Sequence, residues 1–100
     1  MFRITQNKGF HITFQNGWTL SVQWGPLNYC ANRNDDRVWN RHDIDEIAAE
    51  AGSTGSADAE IAAWDAAGKM YDFGNDTVKG WVTPDELVEW INKFSTMPPT

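Results

Sequence analysis

Residues 10–24 read Phe10-His11-Ile12-Thr13-Phe14-Gln15-Asn16-Gly17-Trp18-Thr19-Leu20-Ser21-Val22-Gln23-Trp24. Phe10, Ile12 and Phe14 alternate with polar residues, and so do Trp18, Leu20, Val22 and Trp24, the period of two that marks strands with one buried face. Asn16-Gly17 invites a two-residue turn. Side-chain parity argues against it, because that turn pairs Phe14 with Thr19 and sends the two apolar rows to opposite faces. A three-residue loop, Gln15-Asn16-Gly17, pairs Phe14 with Trp18, Ile12 with Leu20 and Phe10 with Val22. Gly17 then takes the left-handed position of a bulge.

The rest of the chain extends this hairpin. Phe2 and Ile4 read as a preceding edge strand, turned at Asn7-Lys8-Gly9. Residues 60–73 form a second hairpin by the same parity: a loop of Ala66-Ala67-Gly68 pairs Ala63 with Tyr71 and Ile61 with Phe73. Trp64, Ala62 and Met70 fall on the other face. Thr83-Pro84-Asp85-Glu86 is a helix start, with Thr at the cap, Pro in the first turn and Glu closing a capping box. Leu87, Trp90, Ile91 and Phe94 follow as one apolar stripe. Pro98 and Pro99 end it. Trp81 and Val82, just ahead of the cap, are placed to staple the helix to the sheet. The fold expected is α+β: an antiparallel sheet of about four to five strands from two β-hairpins, one C-terminal α-helix packed on a face, and a long irregular insertion between the hairpins. The 26–58 segment is expected to cover the second face or the end of the sheet. Within it, Asp43 to Glu50 has the pattern of two helical turns, and Gly52 to Ser56 reads as a flexible stretch.

The chain has 100 residues, 41% hydrophobic, 22% charged and 13% aromatic, which fits a single small domain spanning 1–100. No apolar run reaches the ~18–20 residues of a membrane span, and the first residues carry no secretory pattern. The single cysteine, Cys30, cannot close an internal disulfide and fits a reducing cytoplasm. Fourteen acidic against eight basic residues give a net charge of −6. A direct nucleic-acid binder needs a basic footprint, and none is present. The charge reads as solubility, or as an acidic surface that occupies a basic groove on another protein. Of the six tryptophans, four or five are expected in the core and the others at an interface or pocket.

No assembled chemistry is visible. Cys30, His11 and His42 lack zinc-site spacing, and Asp35-Asp36 and Asp43-x-Asp45-Glu46 miss the calcium-loop pattern. Cys30 as a nucleophile needs His11 or His42 as base, and His11, at a polar strand position, is expected to face solvent. No cofactor or metal is implied, and the chain reads as a binding protein rather than an enzyme. The densest recognition chemistry lies at Asn28, Tyr29, Asn32, Arg33, Asp35, Asp36, Arg37 and Trp39. Arg33 offers a fork for phosphate or carboxylate, and Tyr29 a stacking face. The alternative is that Asn28 and Asn32 cap turns through their own backbone and Arg33 pairs with a nearby Asp.

The run from Phe14 to Pro26, with Asn28-Tyr29-Cys30 and Asn32-Arg33, resembles small uncharacterised proteins encoded by bacteriophages and prophages. Ala59 to Asp65 and Gly80 to Glu86 are similar to the same group. Together these segments cover about half of the chain, and residues 34–57 have no counterpart in it. The resemblance implies no catalytic residues. It implies a small phage accessory protein in a bacterial cytoplasm, of a kind that engages or inhibits a host protein such as a defence component. The expected partner is therefore a host protein. A small-molecule or nucleotide-sequestering module, built on the Asn28-Tyr29-Cys30-x-Asn32-Arg33 loop and possible across a homodimer, is the alternative.

Overall fold

A computed structural model of the chain describes residues 1–5, 9–25, 28–31 and 55–99. Five strands, β1 (Phe2–Ile4), β2 (Gly9–Thr13), β3 (Thr19–Gln23), β4 (Ala59–Trp64) and β5 (Lys79–Val82), precede one helix, α1 (Pro84–Ser95). The strands lie in sequence order in one sheet, each antiparallel to its neighbours. This is the α+β architecture expected.

The first hairpin has the register that parity requires. Phe10 faces Val22 and Ile12 faces Leu20. Phe14 N–H donates to Trp18 O at 2.8 Å, Gly17 N–H donates to Phe14 O at 3.0 Å, and Gly17 sits at φ 95°. A left-handed backbone is open to glycine without Cβ strain. Phe2 and Ile4 pair with Ile12 and Phe10. Both remain exposed at the sheet edge.

The inner face carries Leu20, Val22, Ala59, Ile61, Ala63 and Val82, all buried. On β4 burial alternates residue by residue, with Glu60, Ala62 and Trp64 turned to the other face. The helix covers the inner face with Phe94, which is completely buried, while Leu87, Trp90 and Ile91 pack partly buried around it. Its start is the expected capping box: Glu86 N–H donates to Thr83 Oγ1, and Thr83 N–H donates to the Glu86 carboxylate, both at 3.3 Å.

The second hairpin follows expectation in its loop and departs from it beyond. Gly68, at φ 84°, closes the turn, Trp64 bridges Met70, and Tyr71 N–H donates to Ala63 O at 2.8 Å. The chain then leaves the ladder, so the partner of Ile61 is Lys79 and not Phe73. The reason is aromatic packing. Tyr71 and Phe73 turn over the helix, with ring centroids 5.0 Å from Phe94 and 5.1 Å from Trp90 respectively. Gly74 and Asn75, both at positive φ, return the chain to the sheet. The expected helical turns at Asp43 to Glu50 and the flexible stretch at Gly52 to Ser56 lie wholly or largely outside the described residues.

One side chain ties the hairpin loop to the end of the helix. Asn16 Nδ2 donates to Phe94 O at 2.7 Å and to Met97 O at 2.9 Å, while its Oδ1 accepts from Trp18 N–H at 3.1 Å. The last carbonyls of a helix have no partners within it, and Asn16 supplies one. Replacing Asn16 with Ala should lower the unfolding free energy by about 1–3 kcal/mol, read as a lower urea midpoint at constant m-value. An unchanged midpoint would contradict this role.

Candidate functional site

Four of the described residues outside the regular elements, 28–31, are strapped to the β4–β5 end of the sheet. Asn28 Oδ1 accepts from Gly25 N–H at 2.9 Å, and its Nδ2 donates to Glu60 Oε1 at 3.2 Å. The other Glu60 oxygen accepts from Tyr29 N–H at 2.9 Å. Ala31 N–H donates to Asp58 Oδ1 at 2.6 Å. Two carboxylates from β4 and its approach therefore hold the backbone of the segment, and the Asn28 amide is engaged at both ends. From the other side, Trp81 N–H donates to Tyr29 O at 2.8 Å. That approach depends on Gly80, because a Cβ there would stand 2.5 Å from the Tyr29 Cβ.

The same contact makes Trp81 conspicuous. Between Ala59↔Val82 and Ile61↔Lys79, β4 advances two residues while β5 advances three, so β5 carries a bulge. Trp81 lies in it at φ 52°. A left-handed backbone is a genuine outlier for a bulky residue and needs surrounding contacts to hold it. The indole is 55% exposed and lies 5.6 Å from the Tyr29 ring at an interplanar angle of 33°, with Tyr29 itself 40% exposed. Trp81 does not staple the helix to the sheet. Val82 is buried there instead, and the bulge turns Trp81 outward.

Among the expected site residues, Asn28 and Tyr29 are thus brought to this surface. Asn32, Arg33, Asp35, Asp36, Arg37 and Trp39 lie outside the described residues. The sequence reading missed Asp58, Glu60, Gly80 and Trp81. The only signal was Gly80-Trp81 standing beside the helix cap, where the period of two fails. Elsewhere, Cys30 is buried with Sγ 3.6 Å from Gly25 O. His11 lies on the outer face of the sheet, as its polar position implies, but is not fully exposed there. It is partly buried, its ring 5.0 Å from Trp64 and near perpendicular to it. Burial first, and the Arg3 guanidinium second, hold its pKa below the usual imidazole value.

Two hollows flank these features. An apolar one of about 340 Å³ lies between the sheet and the helix start, lined by Phe10, Val22, Trp24, Ala59, Val82 and Leu87. It has the size of a small-ligand pocket, and its one charged lining residue, Asp58, already holds Ala31 N–H. A polar one of about 210 Å³ lies on the opposite face, beside His11. Among the described residues no group of three His, Cys, Asp or Glu side chains could hold a metal ion, and no helix is long and apolar enough to cross a membrane.

Comparison with protein-family models, with curated proteins and with solved structures finds no match to this chain.

The Trp81 backbone can be tested by a sign. In an ordinary strand, glycine is less favourable than alanine by roughly 0.5–1 kcal/mol. At a left-handed position a Cβ costs about 1–2 kcal/mol, which reverses the order. Trp81→Gly should therefore be more stable than Trp81→Ala by about 1 kcal/mol in urea unfolding. The opposite order would place Trp81 in an extended backbone.

Proposed function

We propose that the chain is a non-catalytic binding protein that engages a second protein through the surface built on Trp81 and Tyr29. The carrying observation is Trp81 itself: a large aromatic held exposed, in a strained backbone, by contacts that fix it before any partner arrives. Exposed Trp and Tyr dominate the energetics of protein interfaces. A side chain fixed in advance loses less conformational freedom on association. Asp58 and Glu60 stand beside the pair, and the whole chain is at −6, so the complementary face is apolar at its centre and cationic around it. A phage origin, the expectation drawn from the sequence, belongs to the proposal, and with it a bacterial host protein, such as a defence component, as that partner. The anti-defence role is part of the proposal.

The test compares immobilised parent chain, Trp81→Gly and Val88→Ala in capture from bacterial lysate. Val88 is exposed on the helix and serves as a control away from the aromatic pair. The parent and the Val88 variant should retain the same protein, and Trp81→Gly should lose it by about tenfold or more in affinity. Retention should also weaken as salt rises. Equal retention by all three, or no protein held by the parent above the Trp81 variant, would contradict the proposal.

A further inference from the structure

The outer face of the sheet, turned away from the helix, holds a second site. Cross-strand pairing sets Arg3 directly opposite His11, and Thr13 opposite Thr19, which in turn faces Trp64. These residues, with Met1, line the polar hollow of about 210 Å³. Its floor is a hydroxyl pair, Thr13 Oγ1 and Thr19 Oγ1, 2.9 Å apart. Thr19 is buried although its side chain lies on the open face. The Trp64 indole closes one side against His11.

The charges in this hollow are of one sign. Arg3 faces His11, whose protonation it opposes, and the α-amino group of Met1 donates to Thr13 O at 2.8 Å on the same strand pair. Among the described residues Arg3 forms no ion pair, and its guanidinium has one hydrogen-bond contact, Met1 Sδ at 3.8 Å. The strands beyond His11 offer only Ser21 and Ala62 in its row. Glu60, the carboxylate on that face of β4, is tied to Asn28 and Tyr29. A chain of net charge −6 thus keeps a cationic hollow without a counter-charge among these residues.

We propose that this hollow binds a tetrahedral oxyanion of the phosphate type, held by the Arg3 guanidinium, by His11 and by a Thr13 or Thr19 hydroxyl. Arginine presents a planar fork of donors suited to such oxygens. Imidazole and hydroxyl groups from β2 and β3 line the same hollow as Arg3, and a set of separate donors suits a tetrahedral ligand better than a planar carboxylate. The imidazolium is the form that donates from both nitrogens, so anion binding favours protonation. His11 is held toward its neutral form in the free chain by burial and then by Arg3, so bound anion and bound proton are linked. For an oxyanion whose own charge is constant over the range, such as sulfate, affinity should rise as pH falls through the His11 titration.

The probe is inorganic phosphate, titrated into the full chain against chloride at constant ionic strength and followed by NMR. Saturable shifts are expected at the His11 ring, the Trp64 indole N–H and the Thr13 and Thr19 amides, with an upward move of the His11 titration at saturation. Arg3→Gln, at an exposed position, should weaken binding by roughly tenfold or more. The same variant should raise the His11 titration of the free chain, which reports that the fold and the contact are intact. Acetate at the same ionic strength should bind more weakly. Shifts that never saturate, that persist unchanged in Arg3→Gln, or that acetate reproduces at equal concentration would each overturn the proposal.

Discussion

Phe94 is the contact on which the rest of this structure depends. The described chain supplies five strands and a single helix, and Phe94 is the fully buried side chain that this helix sets against the inner face of the sheet. Its ring centroid lies 5.0 Å from that of Tyr71, 5.6 Å from Trp18, 6.0 Å from Trp90 and 6.3 Å from Phe73. Truncating such a phenylalanine typically costs about 3–5 kcal/mol, a large part of the stability of a small domain. Asn16 reinforces this contact by bonding to the Phe94 carbonyl itself, so the tip of the first hairpin and the last turn of the helix are fixed together.

The candidate site is a consequence of that packing. Tyr71 and Phe73 pack their rings against the helix, and the chain leaves the sheet after Tyr71 and rejoins it at Lys79. The return is one residue out of step. β5 absorbs the extra residue as a bulge, and a bulge re-aims side chains. Trp81 is the residue re-aimed. Gly80 lets the 28–31 segment come close enough for backbone bonding, and Asp58 and Glu60 hold that segment from below. The demand for a core on one side of the sheet thus produces an exposed aromatic pair at its end.

Much of the fold was legible because it rests on local periodicity and turn chemistry. Parity alone selected the Gln15-Asn16-Gly17 loop and its register, and the Thr83 capping box marked the helix start. The second hairpin was legible only as far as Tyr71. Its alternation continues formally to Phe73, and nothing local says that two rings will prefer the helix. Trp81 was misread for the same reason: a one-residue bulge shifts every later side chain by one face, and a period of two cannot show it. Glu60 and Asp58 were missed because their partners lie about thirty positions away in the chain. His11 was read as solvent-facing from its polar position. Its neighbour Trp64 reaches the same face only through the register of three strands. Asn28 and Tyr29 were identified from side-chain chemistry, while the contacts that hold them came from elsewhere in the chain.

The sheet then carries two different surfaces. The β4–β5 end presents aromatic rings beside carboxylates, and the outer face of β1–β2 presents a cationic hollow. The central claim is that Trp81 is held outward, left-handed and against Tyr29, in the free chain. The most direct measurement is the NOE pattern of Trp81 in the isolated protein. The account expects a strong intraresidue amide-to-Hα NOE, the mark of a left-handed residue, together with cross-peaks between the Trp81 and Tyr29 rings. A weak intraresidue NOE with a strong sequential one from Gly80, and no contact between the rings, would contradict it.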